Sequence, residues 1–289
     1  MPDVSLPLLT VAVSSRALFD LERENALYER EGLAVYEAHQ QSHEAEPLRP
    51  GPGFPLVRAI LRLNPPAGPP RVVVVIISRN NPAVALRLMN SAGHHRLGIT
   101  RAAFTSGAPV CPYLAGFGAD LFLSRNPGDV REALAGGVAA GLLYDAPADP
   151  AADLAEIRIA FDADAVVFSD EAERIYQAEG LAAFLQHERD HAARPLPAGP
   201  LAGFLRKLAA LRPAAGEVGP GLRLALVTAR CSPAHERVIQ TLRLWGVALD
   251  EMFFLGGLPK DGVLAAFRPH IFFDDQVANC LPASHLVPT

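Results

Sequence analysis

The chain has 289 residues, half of them apolar, and a formal net charge of -5. That length accommodates two compact domains with separate cores, and the acidic balance gives no electrostatic reason to expect a nucleic-acid polymer as partner. The longest aliphatic run, Val72 to Ile77, is far too short to cross a bilayer.

Asp3 and the lack of basic residues before the first apolar stretch predict no secretory signal. Cys111, Cys231 and Cys280 show no paired or metal-binding spacing, as expected in a reducing compartment. A cytoplasmic protein without membrane contact is the expectation, and homo-oligomerisation is left open.

In chain order, the first half ends in Asp145-Ala-Pro-Ala-Asp-Pro-Ala-Ala-Asp153, which reads as an extended, solvated linker. Ile157 to Phe161 then reads as a buried parallel strand running into Asp162-Ala-Asp164. A helix is predicted over about 170–192, with Ile175, Leu181, Phe184 and Leu185 on one face. A proline-rich break from Pro195 to Pro200 precedes a second helix, Leu201 to Leu211. Strand-like runs follow at Leu222 to Val227, ending at Thr228; at Met252 to Leu255, leading through Gly256 and Gly257 to Lys260; and at His270 to Phe273, ending at Asp274 and Asp275.

The strand ends of an open α/β sheet form its ligand crevice. Two carboxylates, a hydroxyl, an ammonium and two more carboxylates are therefore expected to converge there. Carboxylate oxygens hold magnesium, a neighbouring carboxylate can attack phosphorus, and a lysine and a threonine balance charge on the phosphoryl oxygens. Alternate residues of an extended segment point the same way, so Asp162 and Asp164 can divide the roles of nucleophile and acid/base.

The same text is written twice. A shift of 148 pairs Tyr28 with Tyr176, Gly32 with Gly180 and His39 with His187; a shift of about 150 pairs Arg79 with Arg230, Phe104 with Phe254 and Phe122 with Phe272. In the first copy Ser14 and Arg16 stand for the Asp-x-Asp acids, Ile77 for Thr228, Val110 for Lys260, and Ser124 and Arg125 for Asp274 and Asp275. No magnesium is expected there. The first copy reads either as a structural pseudo-domain or as an anion site built on Ser14, Arg16, Ser124 and Arg125, taking a nucleotide or phosphate effector.

The order Asp-x-Asp, Thr, Lys and an acidic pair resembles the haloacid dehalogenase-like phosphohydrolases. Phe161-Asp-Ala-Asp-Ala-Val-Val-Phe-Ser-Asp-Glu171, Val227-Thr-Ala-Arg-Cys-Ser-Pro-Ala-His-Glu-Arg237, Phe254-Leu-Gly-Gly-Leu-Pro-Lys260 and Phe272-Phe-Asp-Asp-Gln276 are similar to the AMP-preferring type I cytosolic 5'-nucleotidases. So is Ala12-Val-Ser-Ser-Arg-Ala-Leu-Phe-Asp20, and only Ala163 departs from the expected glycine.

The resemblance implies two tandem, doubly wound α/β domains of the haloacid dehalogenase-like kind, each with a small helical cap: a degenerate copy over 1–148 and a catalytic copy over 149–289 with its cap at about 169–213. It implies Asp162 as nucleophile and Asp164 as acid/base. Thr228, Ala229 and Lys260 are expected on phosphate; Asp162, Asp164 and Asp274 on magnesium, supported by Asp275. The implied substrate is a nucleoside 5'-monophosphate, AMP above all. Alternatives are a phosphatase or phosphotransferase for another small phosphate ester, and a non-catalytic nucleotide-binding regulator.

His187-Glu-Arg-Asp-His191 has the zinc-protease spelling. Without a third ligand nearby, and with Gln40 in place of the glutamate in the first copy, it reads as helix packing. Tyr176, Phe184 and Phe204 can stack a nucleobase, but their helical spacing favours the core. Arg230, which recurs as Arg79, reads as partly structural.

Overall fold

The computed structural model describes residues 8–145, 151, 154–212 and 219–289. The chain divides into two compact units, Met1–Leu143 and Tyr144–Thr289. The expected linker falls largely outside the described residues.

In the first unit the apolar runs become β1 (Leu9–Val13), β2 (Val72–Ser78), β3 (Arg101–Phe104), β4 (Leu121–Ser124) and β5 (Ala140–Leu142), in a parallel sheet of order β3-β2-β1-β4-β5. β2 reads Val-Val-Val-Val-Ile-Ile-Ser. An unbroken β-branched run suits a strand covered on both faces by helices, because neither face needs to be polar. Helices α1 (Ser15–Leu18), α2 (Glu22–Glu31), α3 (Leu33–Ser42) and α4 (Phe54–Leu61) follow β1, and α5 (Ala85–His94), α6 (Cys111–Gly116) and α7 (Pro127–Ala135) complete the crossovers.

The second unit has β6 (Ile157–Phe161), β7 (Leu222–Thr228), β8 (Glu251–Phe254) and β9 (Ile271–Phe273), parallel and in the order β8-β7-β6-β9. Between β6 and β7 lie α8 (Glu171–Asp190) and α9 (Ala202–Ala210); α10 (His235–Leu244), α11 (Asp261–Phe267) and α12 (Val277–Ser284) follow the remaining strands. The molecule is thus an α/β protein with two parallel sheets, consistent with a haloacid dehalogenase-like architecture.

Two local features shape the second unit. Gly180 interrupts α8 at φ 82°, a left-handed value that glycine adopts without steric cost. The turn in the middle of α8 shifts its phase, so Leu181, expected on the buried face with Phe184, is 55% exposed, whereas Phe184 packs with Ala172 and Ala234. Gly199 lies so close to the Phe168 carbonyl that an added Cβ would come within 2.3 Å of its oxygen, which excludes any side chain. Beneath the sheet, Phe204 is buried against Phe161 and Phe273, so this aromatic belongs to the core.

Candidate active site

Strand register brings the acids together. Phe161 on β6 pairs with Phe273 on β9, so the next residues, Asp162 and Asp274, leave adjacent strands side by side. The Asp162 N–H donates to the Phe273 carbonyl at 2.7 Å, and the Asp162 carboxylate accepts from the Ala163 N–H at 2.7 Å. Lys260, just before α11, reaches both acids: its Nζ lies 3.0 Å from Asp162 Oδ1 and 2.5 Å from Asp274 Oδ2. Asn279 Nδ2 and the Gln276 N–H donate to Asp274 from α12 and the turn before it.

Burial makes this cluster electrostatically demanding. It pushes the Asp162 carboxyl up to about 7; the Lys260 ammonium opposes the rise and the Asp274 charge adds to it. Burial also disfavours the Lys260 ammonium, but Asp162 and Asp274 outweigh that cost and raise its pKa. Partial desolvation and the Asp274 charge bring Asp275 to about 6. Three carboxylates facing one another around a single ammonium leave an excess of negative charge that a cation relieves.

Oxygens of Asp162, Asp274 and Asp275 lie within 4.8 Å of one another. An all-carboxylate donor set with these oxygens converging fits a hard divalent cation.

Asp164 is placed differently. A tight turn over Ala163–Val167, with Ala165 at φ 57°, follows Asp162 and directs the Asp164 carboxylate to Arg230: Nε donates to Oδ2 at 2.7 Å and Nη2 to Oδ1 at 2.6 Å. Arg230 also donates to Glu188 at 2.5 Å, and Arg237 donates to the other oxygen of Glu188 at 2.9 Å. Glu188 is fully buried. The structure thus gathers Asp275, rather than the Asp164 side chain, with Asp162 and Asp274. Thr228, ending β7, is buried and accepts from the Arg230 N–H at 3.2 Å, so its own O–H proton is left to donate. Ala229 follows it directly.

A 5'-nucleotidase family model matches residues 1–289. The chain belongs to this family. It is 37% identical over 289 residues to cytosolic 5'-nucleotidase 1B of Homo sapiens, a match covering 96% of this chain and 47% of that protein. The chain therefore spans about half the length of the curated relative it matches. No solved structure matches it.

The glutamate of His187-Glu-Arg-Asp-His191 is the same Glu188 that lies between two guanidiniums, while the two histidine rings stack 4.1 Å apart. This motif therefore serves packing and ion pairing. Tyr176 is half exposed and meets Phe184 edge to face.

Sequence reasoning read Glu188 only as part of a helix-packing motif and missed its pairing with Arg230 and Arg237, and it missed Asn279. Asn279 follows Asp274 by five residues, the reach of the first turn of α12, and that spacing was a usable signal. The Glu188–Arg237 pair joins helices 49 residues apart and left no local trace.

In the first unit the register repeats: Val13 on β1 pairs with Leu123 on β4, and Ser14 and Ser124 follow. Ser78, and not the expected Ile77, stands where Thr228 does, because Ser78 pairs with Phe104 as Thr228 pairs with Phe254. Asn80, not Arg79, then matches Arg230, each N–H donating to the hydroxyl two residues before it. Ser14, Arg16, Ser124 and Arg125 line one cavity of about 390 Å³.

Proposed function

We propose that this chain is a magnesium-dependent 5'-nucleotidase that hydrolyses nucleoside 5'-monophosphates, with AMP favoured, in the cytoplasm. The observation that carries the reading is the buried Asp162 set beside Asp274 and Lys260 at the sheet's carboxyl edge. Membership of the 5'-nucleotidase family and similarity to a protein named a cytosolic 5'-nucleotidase support the substrate and the location.

In the proposed cycle an Asp162 carboxylate oxygen attacks phosphorus, forming the aspartyl phosphate as the bond to the nucleoside O5' breaks. Asp164 gives its proton to the departing oxygen. It then takes a proton from the water that attacks the aspartyl phosphate, releasing phosphate and restoring the Asp162 carboxylate. The Arg230 fork fixes the orientation of the Asp164 carboxylate, and each oxygen keeps a further lone pair for the proton. The Lys260 ammonium, the Thr228 hydroxyl and the Ala229 N–H donate to the phosphoryl oxygens. Magnesium, held by Asp162, Asp274 and Asp275, supplies neutralising charge on those oxygens when bound.

We further read the two units as copies of one haloacid dehalogenase-like domain, the first without catalytic groups, with α8 and α9 as the cap of the second. Support comes from the shared central strand order, β2-β1-β4 and β7-β6-β9, and from Gly32 and Gly180, both at φ 82° and 148 residues apart. The bridges Phe19–Pro50 and Phe168–Ala198 recur at nearly the same shift.

The test is phosphate release from AMP, other nucleoside 5'-monophosphates and simple phosphate esters, with and without magnesium and with a nucleoside acceptor. Magnesium-dependent release favouring AMP is expected. Preference for an unrelated ester, or transfer to the acceptor in place of hydrolysis, overturns the assignment.

A further inference from the structure

We propose that the cleft at the strand ends of the first unit is a metal-independent binding site for a nucleoside phosphate. Its volume of about 390 Å³ lies in the range of small-molecule sites. The chemistry of its lining divides into an anion-binding end and an aromatic end.

At the anion end, Ser14 and Ser124 sit side by side at the ends of β1 and β4, with Arg16 and Arg125 next to them. Ser14 Oγ accepts from the Ala17 N–H and Ser124 Oγ accepts from the Asn126 N–H. Each hydroxyl therefore already has its donor and has its own proton to give. Arg16 Nε is buried and finds no hydrogen-bond partner among the described residues. Hydroxyl protons and guanidinium forks suit phosphate oxygens without a metal.

The acids in the cleft cannot serve as cation ligands in the same way as those of the second unit. Glu24 is held by Arg87 at 3.0 Å, and Asp129 is paired with Arg79. At the aromatic end, Tyr28 and Tyr36 meet edge to face at 5.8 Å, with Tyr28 half exposed. An exposed aromatic face bordering the cleft offers a stacking surface for a base.

One internal carboxylate competes for the arginines. Glu22 accepts from Arg16 through both oxygens at 2.9 and 3.0 Å, and its Oε1 lies 3.5 Å from Arg125 Nε. Arg16 and Glu22 are 38% and 47% exposed, so their pair contributes little net stability. A phosphoryl dianion can engage both guanidiniums and both hydroxyls at once, which one carboxylate does not do. Glu22 thus holds the place of the anion.

The test is calorimetric titration of the full chain in EDTA with AMP, ADP, adenosine and inorganic phosphate. One site for AMP or ADP is expected, with adenosine and phosphate each binding more weakly. Arg16→Gln and Arg125→Gln should each weaken binding roughly tenfold, the size of a lost charge-assisted hydrogen bond. Glu22→Gln, a change on an exposed side chain, should tighten binding several-fold, and Lys260→Ala in the second unit should leave it unchanged.

No binding in EDTA overturns the proposal. So does binding that is abolished by Lys260→Ala and indifferent to both arginines, or a Glu22→Gln variant that binds no tighter. Equal affinity for phosphate and AMP removes the nucleoside from the proposal. None of these outcomes bears on magnesium-dependent turnover, so the site stands or falls separately from the proposed activity.

Discussion

Each strand-end cleft has an arginine just past its second strand, and the two are paired differently. In the second unit Arg230, two residues past the end of β7, donates to Asp164; in the first, Asn80 holds that place past the end of β2 and the neighbouring Arg79 pairs with Asp129. The difference follows from the acids available. Where the second unit has Asp164 the first has Arg16, so Arg79 finds its carboxylate on α7, at the position where α12 carries the neutral Asn279. A guanidinium as buried as that of Arg230 is costly without a partner, whereas Arg79 is one-third exposed and its pair with Asp129 is the less demanding of the two. The lesson is that an arginine beside the same strand end takes its carboxylate from whichever element supplies one, Asp164 after β6 in one unit and Asp129 on α7 in the other.

The sharpest way to break this comparison is at the paired strand ends. Asp162→Asn is expected to reduce turnover by several orders of magnitude, as removal of a covalent nucleophile does, with the melting temperature retained. Ser14→Ala, the corresponding change in the first unit, is expected to leave kcat near that of the unaltered chain. Comparable losses in the two variants would mean that both clefts take part in the chemistry.

Asp164→Asn should cost about 10²- to 10⁴-fold in kcat, the usual worth of general acid–base catalysis. The loss should be greater for a nucleoside monophosphate than for an aryl phosphate, whose leaving group needs less protonation. Equal losses for both substrates would leave Asp164 as a structural partner of Arg230.

Arg230→Ala removes the cation from two carboxylates, one of them the fully buried Glu188. Breaking a buried pair by deleting one partner costs about 3–5 kcal/mol, which denaturant unfolding would register as a lower midpoint. Arg79→Ala should cost far less, because Arg79 is one-third exposed and its pair is screened by solvent. Similar costs at the two sites would refute the view that burial makes the Arg230 network the costlier of the two to break.

Much of the second unit was legible in the sequence. All four strands and both helices between β6 and β7 fell within a residue or two of expectation, because apolar runs ending in polar residues report parallel strands directly. Lys260, Asp162 and Asp274 converged as expected for the same reason: strand ends share one edge of the sheet.

Two placements were not legible. The helical pattern over α8 assumed a continuous phase, and Gly180 resets it, which exposes Leu181. Asp164 was expected to point with Asp162 as an alternate residue of one extended segment, whereas Ala163 between them begins a tight turn that breaks the alternation, and the Asp164 carboxylate pairs with Arg230. Periodicity carries no information about such turns, and the Glu188–Arg230–Arg237 network depends on tertiary approach alone.

Proton occupancy offers a finer test of the acid cluster. The folded-state values of Asp162 and Asp275 are raised to about 7 and about 6, above those of exposed aspartates. For a raised acid, the stabilisation is present below the unfolded value and is lost as pH climbs through the folded value. The metal-free chain should therefore lose stability between about pH 4 and pH 7 through this cluster. Magnesium needs the deprotonated ligands, so its stabilising effect should grow over that same upper range. Melting temperatures with and without magnesium at pH 5.5, 7 and 8.5 measure this directly, and a magnesium increment independent of pH would contradict the raised carboxyls.

The smallest effect expected is at Asn279, where the two units differ by one side-chain amide against one carboxylate. Asn279 Nδ2 lies 3.1 and 3.2 Å from the two oxygens of Asp274, so it orients a carboxylate of the proposed magnesium site without offering a ligand itself. Loss of such outer partners lowers metal affinity by about 10- to 100-fold, and the lower end is expected because Lys260 and the Gln276 N–H still hold Asp274. Asn279→Ala should raise the magnesium concentration needed for half-maximal turnover about tenfold, while kcat at saturating magnesium stays close to that of the unaltered chain. A fall in kcat that magnesium does not repair would show that Asn279 acts on the phosphoryl group or on Asp162 rather than through the metal ligand. Unchanged magnesium dependence would show that Lys260 alone suffices to position Asp274, and the contrast between an amide on α12 and a carboxylate on α7 would then concern only where Arg79 finds its partner.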